Sequence, residues 1–137
     1  MSHFTRVKTK IKNKSALLAA LADMGYTANK VELHDTPQNL YGYRGDQREQ
    51  TAEIILRRRY VGGSSNDIGF KLQEDGTYEA IISEYDSGRH NENWRDKLSQ
   101  RYAYHNIKEE LSSQGFSIES ESEEKGELLL VCSNVGF

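Results

Sequence analysis

One cysteine and one proline are all that 137 residues contain of either type, and apolar residues nowhere run on for long. A lone Cys132 excludes an internal disulfide and fits a reducing compartment. No stretch nears the ~18 apolar residues of a membrane helix, and the basic N-terminal stretch lacks the apolar segment and cleavage site of a secretory leader. A cytosolic protein with no membrane partner is therefore expected. A large excess of one charge is also absent: 18 Lys plus Arg against 21 Asp plus Glu leave −3 with histidines neutral. That mildly acidic balance argues against a nucleic-acid partner, whose domains carry a basic footprint. His3, His34, His90 and His105 stand at no metal-ligand spacing, and no nucleophile and base follow one another in a diagnostic order. Neither a metal, nor another cofactor, nor an enzymatic activity is expected.

What remains is a polar but foldable chain, 36% hydrophobic and 28% charged, short of the depleted composition of disordered proteins. Its length bounds it to a single α+β domain over residues 1–137. Residues 4–11 alternate, with Phe4, Arg6, Lys8 and Lys10 on one side and Thr5, Val7, Thr9 and Ile11 on the other, which predicts a strand with one basic, wet face. Asn13 or Ser15 can then cap a helix through Leu17, Leu18, Leu21 and Met24, stopped by Gly25. Residues 27–38 lose periodicity and contain Pro37, so a loop is expected, followed by a brief strand at 39–43 and a turn at Gly42 to Asp46. Residues 51–60 alternate as a strand, although good helix formers keep a helix over 47–58 open. Val61-Gly-Gly-Ser-Ser-Asn-Asp67 is a flexible turn by composition.

A hairpin is plain beyond it: Ile68, Phe70 and Leu72 share a face, residues 74–77 turn the chain, and Tyr78, Ala80 and Ile82 share a face on return. A polar stretch at 86–93 precedes a long helix over 94–114, closed by Gly115. A last hairpin over 117–121 and 127–133 turns around 124–126. Its second strand, Leu128-Leu-Leu-Val-Cys132, is apolar on both faces and is expected at the centre of the sheet, with Cys132 a small buried thiol. Leu21-Ala-Asp-Met-Gly25-Tyr26 and Leu111-Ser-Ser-Gln-Gly115-Phe116 echo one another, as two helices ended by a left-handed glycine and an apolar residue packed back would. The predicted architecture is a mostly antiparallel sheet with two helices on one face, arranged β-α-β-β-β-β-α-β-β.

The long helix carries the main functional signal. At 100° per residue Trp94, Leu98 and Tyr102 lie on one face, and Ala103, Tyr104, Ile107 and Leu111 lie on roughly the opposite one. A single sheet cannot cover both. The preferred reading is a non-enzymatic binding or adaptor protein whose partner surface, for another protein or a second copy, is Trp94, Leu98, Arg101 and Tyr102. The alternative is a binder of a small phosphorylated ligand such as a nucleotide. It would use the cations Arg6, Lys8, Arg44, Arg57 and Arg59, the nearby rings of Tyr41, Tyr43 and Tyr60, and a nest of backbone N–H groups at Gly62 and Gly63. The bland reading of the basic runs is that they face acidic residues across neighbouring strands.

Several motifs, taken in order, resemble a known family. They are Met1-Ser-His-Phe-Thr-Arg-Val-Lys-Thr9, the helix end Leu21 to Tyr26, Tyr41-Gly-Tyr-Arg-Gly45, Asp67-Ile-Gly-Phe70, Gln100-Arg-Tyr-Ala-Tyr104 and Gly115-Phe116. Together they are similar to the hypothetical chloroplast reading frame thirty-five family, a domain of unknown function in cyanobacteria and algal plastids. The arginine run at 57–59 and the polar stretch at 86–93 depart from the more apolar family pattern and leave the host lineage open, a phage or another bacterium included. The resemblance implies a cytosolic or stromal protein with no established activity. It also implies an accessory role in an ATPase-containing assembly, since relatives occur beside a ring-forming ATPase and a small iron–sulfur protein. It assigns no functional residue.

Overall fold

The alternating segments pair into one antiparallel sheet, and the helices cover one face of it. The computed structural model describes residues 4–62, 65–83, 90–124 and 127–134. In chain order these form β1 (Phe4–Lys8), α1 (Lys14–Asp23), β2 (Glu32–Tyr41), β3 (Gln47–Leu56), α2 (Arg58–Val61), β4 (Ile68–Leu72), β5 (Tyr78–Ser83), α3 (Glu92–Ser113), β6 (Phe116–Glu124) and β7 (Glu127–Asn134), with a single 3-10 turn at Ala28–Lys30. Five strands make the main sheet in the order β1-β5-β4-β3-β2, and β6 and β7 make a separate two-stranded ribbon. The α+β class and the expected element order hold, with the one-turn α2 added.

Both long helices start on an asparagine cap. The Asn13 side chain accepts the Ala16 N–H at 3.2 Å, and the Asn91 side chain accepts the Trp94 N–H at 3.0 Å. Both end at a left-handed glycine, Gly25 at φ 99° and Gly115 at φ 86°. After the first, the Tyr26 N–H returns to the Leu21 carbonyl at 2.8 Å. The echo between the two helix ends is thus a shared way of stopping.

The main core lies between helices and sheet. Leu17 and Leu21 of α1 and Leu98 of α3 pack on Ile54, Leu56, Ile68, Phe70, Ala80 and Ile82 of the inner strands. Each fully buried Leu or Ile there contributes roughly 1.5–3 kcal/mol. A smaller cluster of Leu40, Ala52, Ile55 and Ile81, with Phe4 against it, fills the other face. Ala52 belongs to this back cluster while Ile54 belongs to the front, so the strict alternation expected of β3 breaks between them. The register of β2 against β3 shifts in the same region. The distal part of this hairpin consequently folds over the back of the sheet and seats Leu40 against Gly69 of β4.

Three expectations are corrected, and one open alternative is decided. Residues 32–38, read as a loop around Pro37, belong to β2; Pro37 is tolerated because β2 is an edge strand and its pairing slips there. Residues 47–56 form the strand expected there and not the helix left open, with Ile54 and Leu56 covered on one face and Ala52 and Ile55 on the other. The strand stops at Leu56, short of residue 60, where Arg57 turns into α2. Finally, β7 is not central: among the described residues it pairs only with β6. Leu129 is 62% and Val131 44% exposed, while Leu130 and Cys132 on the other face are half-buried. The turn expected at 124–126 and much of the polar stretch at 86–93 lie outside the described residues.

Gly69 is required by close approach. A Cβ there would sit 2.7 Å from the Ala52 Cβ and 3.0 Å from a Leu40 methyl. Gly69→Ala is expected to cost ~1–3 kcal/mol by overpacking, measured as a lower denaturant midpoint at unchanged slope. An unchanged midpoint would show that the back cluster yields freely.

Candidate functional site

The first apolar stripe of α3 serves the sheet core, and of the second only Tyr104 is buried, with Leu111 half-buried and Ala103 and Ile107 exposed. Leu98 is buried in the main core, and Trp94 and Tyr102 pack against that core half-exposed. On the opposite side Tyr104 is buried, and its hydroxyl donates to Glu121 of β6 at 2.5 Å. The helix is therefore a wall between the sheet core and the ribbon.

Helix α1 is tied to the middle of α3 at both ends. The Tyr102 hydroxyl accepts the N–H groups of Lys12 and Asn13 at 3.1 and 3.0 Å. Asn13 donates to Asn106 and Glu109, each at 3.1 Å. At its other end Asp23 accepts Arg101 at 2.8 Å and His105 at 2.7 Å. Arg101, grouped by sequence with the partner-binding residues, is thus committed to Asp23 and lies over the Tyr104 ring, 4.6 Å from its centroid. Trp94 also meets His90 edge-on at 4.7 Å between ring centroids, and the His90 ring shares a 3.0 Å hydrogen bond with the Tyr26 hydroxyl.

Beside this packing lies a groove. It has a volume of about 690 Å³, with Val7, Thr9 and Ile11 of β1 and the following residues on one side and Trp94, Leu98 and Tyr102 of α3 on the other. Of the four residues singled out on the helix, Trp94, Leu98 and Tyr102 line it and Arg101 does not. β1 is the edge of the sheet, and among the described residues no strand pairs with its outer side. Lys8 and Lys10 rim the groove along the strand, and Arg95, Glu92 and Asp96 along the helix. Lys8, Lys10 and Lys12 are exposed and make no ion pair among the described residues. The strand side of the groove was missed in the sequence. Its only signal was the unbroken basic run ending at Lys14.

The cations of the alternative reading are largely used internally. Arg57 donates from Nε and Nη2 to the two carboxylate oxygens of Glu32 at 2.7 and 2.9 Å, and from Nη1 to Asp67 at 2.8 Å and the Asn39 carbonyl at 3.2 Å. Asp67, whose side chain is 1% exposed, also accepts the N–H groups of Tyr41 at 2.8 Å and Arg58 at 2.7 Å. Neighbouring Asn66 accepts the Tyr43 N–H at 3.0 Å and donates to Ser83 at 3.1 Å. The turn read as flexible therefore ends in two buried side chains that hold the end of β2, the start of α2 and β5 together. Neither Glu32 nor Asp67 stood out in the sequence, because nothing local marks which carboxylate a distant arginine meets.

Arg6 pairs with Glu79 at 2.5 Å. Glu79 lies in register between Lys8 on one side and Lys71 on the other. Basic strand thus does face acidic residue across the sheet, as the bland reading expected, with Glu79 in place of the C-terminal glutamates. Arg44 stacks on Tyr43, Arg57 on Tyr41 and Arg59 on Tyr60, with 4.9 to 5.5 Å between guanidinium and ring centroid. A second cleft of about 440 Å³ is bounded by Tyr41, Gly45, Arg57, Arg58 and Arg59 together with Glu32 and Asp67. Arg57 and Arg59 reach it, while Arg6 and Lys8 lie on the opposite edge strand, so the set does not converge on one point. Gly62 sits in extended backbone and Gly63 lies outside the described residues. Cys132 is half-buried.

This arrangement defines a small α+β protein with a helix–strand groove, and the comparisons with known proteins give it a family. Residues 20–131 match the family model described as "Protein of unknown function (DUF1257)", and the chain belongs to that family. It is 33% identical over 134 residues to "Uncharacterized protein ycf35" of Cyanophora paradoxa, covering 96% of this chain and 95% of that one. It is 28% identical over 135 residues to the protein of the same name from Pyropia yezoensis, again with 96% and 95% covered. No solved structure matches. Among the described residues no helix is long and apolar enough to cross a membrane.

Two outcomes separate an internal Arg57 from a ligand-binding one. Arg57→Ala leaves the buried Asp67 carboxylate unpaired and is expected to cost ~3–5 kcal/mol of stability; a fold as stable as the parent would release Arg57 for a ligand. The Arg57 hydrogen bonds, opposed by partial burial and helped by His34, hold the Glu32 carboxyl below its usual range. The stabilisation is thus present above the ordinary glutamate value, near pH 4.3, and is lost as pH falls through the lowered one. Stability of the parent should fall more steeply than that of Glu32→Gln below about pH 4, followed by denaturant titration; parallel acid profiles would contradict this.

Proposed function

We propose that this protein is a non-enzymatic adaptor, working in the cytosol or stroma, whose groove between β1 and the first half of α3 receives a segment of another polypeptide. The observation that carries this reading is an apolar floor set directly beside an open strand edge. An unpaired edge offers a row of backbone donors and acceptors, and an adjacent apolar trough offers side-chain pockets; an extended segment that adds to the edge uses both. Lys8 and Lys10 favour a segment with acidic residues. The accessory place in an ATPase-containing assembly that the family resemblance implies is a setting such a groove would serve. The phosphorylated-ligand alternative draws less support, since Arg57 and Arg6 already have carboxylate partners.

The test is site-specific photo-crosslinking in the source cells. A benzophenone side chain introduced at Lys10 or Arg95 is expected to yield discrete polypeptide adducts, and the same group at exposed Glu74, on the β4–β5 turn, is expected to yield none. Equal labelling at all three positions, or none at Lys10 and Arg95, would overturn the reading. A rise in melting temperature of the purified protein with nucleotides or inorganic phosphate, about 2.7 kcal/mol of stabilisation at a hundred times the dissociation constant, would favour the alternative.

A further inference from the structure

The ribbon is the least explained part of the molecule. A two-stranded sheet standing alone is marginal in water, and this one shows Leu129 and Val131 to solvent on the face turned away from α3. Exposed Glu119 and Glu127 make it acidic, while Glu121 is turned to α3 and accepts the Tyr104 hydroxyl. The groove has an apolar trough, an open strand edge, and lysines at 8, 10 and 12 that make no ion pair among the described residues, although Lys8 stands in register with Glu79 and Glu92 and Asp96 border the helix side. These two surfaces cannot meet within one chain. Tyr104 anchors the ribbon on one side of α3, and Leu98 and Tyr102 face the groove on the other.

We propose that the occupant of the groove is the β6–β7 ribbon of a second copy of this chain. Leu129 and Val131 of one copy cover the trough beside Trp94 of the next, and the ribbon glutamates lie along Lys8 and Lys10. This rests on reading the groove as a polypeptide-docking site and names its partner. Because groove and ribbon are different surfaces, the contact is head-to-tail. Each copy offers one of each, so assembly continues into a ring or a short filament and does not stop at a two-fold dimer.

Two double variants test it. Lys8→Glu with Lys10→Glu spoils the groove and keeps the ribbon; Leu129→Glu with Val131→Glu spoils the ribbon and keeps the groove. All four positions are exposed, so both should fold, as checked by circular dichroism and melting. Should the second fail to fold, Glu119→Lys with Glu127→Lys replaces it. Sedimentation and native mass measurement are expected to show the parent growing in mass with concentration and each variant monomeric. An equimolar mixture of the two variants should give one-to-one dimers and nothing larger, since a single intact pair of surfaces is left.

A parent that stays monomeric at all concentrations, association that survives in both variants, or a mixture that stays monomeric would each overturn the proposal. Adducts to other polypeptides from Lys10 or Arg95 together with a monomeric parent would remove the second copy as occupant while leaving the groove a docking site. Loss of those adducts as well would remove both.

Discussion

Helix α3 has to hide two apolar stripes on opposite sides, and most of the architecture follows from how it does so. Leu98 and Tyr102 point into the sheet core, and Tyr104 points away from it toward Glu121. A helix turns 100° per residue, so one layer cannot cover both sets. The chain answers in part by continuing past Gly115 into a ribbon that covers Tyr104, while Ile107 of the same stripe stays 43% exposed. Among the described residues, that solution keeps β6 and β7 out of the main sheet and leaves β1 at its edge with no strand beyond it. The groove and the exposed face of the ribbon are both consequences of this one arrangement.

Charge in the fold is mostly local bookkeeping between strands. Arg57 binds Glu32 side-on and reaches a nearly inaccessible Asp67, which in turn holds two backbone N–H groups of segments distant in sequence. An arrangement of that kind specifies how the β2–β3 hairpin meets α2 and β4, because breaking either partner strands a charge away from water. Arg6 is similarly tied to Glu79. Lys8 and Lys10 along the edge strand and Arg95 on the helix border the groove, together with Glu92 and Asp96, whereas in the second cleft Arg57 is held by Glu32 and Asp67.

Much of this was legible in residue order. The β4–β5 hairpin, both long helices and their glycine stops are set by contacts within a few residues, and period-2 and 3.6 patterns report such contacts directly. Trp94, Leu98 and Tyr102 were recognisable as one apolar stripe, and it is this stripe that the sheet core takes. Less visible were β2, whose proline sits where its register slips, and β7, whose unbroken apolar run reads equally well as a buried centre or as a ribbon with one covered face. Gly69 gave no sign that Leu40 and Ala52 close on it from a folded-over hairpin.

By itself, then, the order of residues determined the elements, their caps and turns, the class of fold and the presence of a second apolar stripe on α3, all of which rest on short-range geometry. Only the tertiary structure decided which side of each charge cluster is spent, that Arg101 belongs to Asp23, and that the stripe beside Trp94 borders an open strand edge. Those facts depend on which distant segments become neighbours. The free energy of an ion pair or a groove is a property of the neighbour and the water excluded between them, and one-dimensional order carries neither.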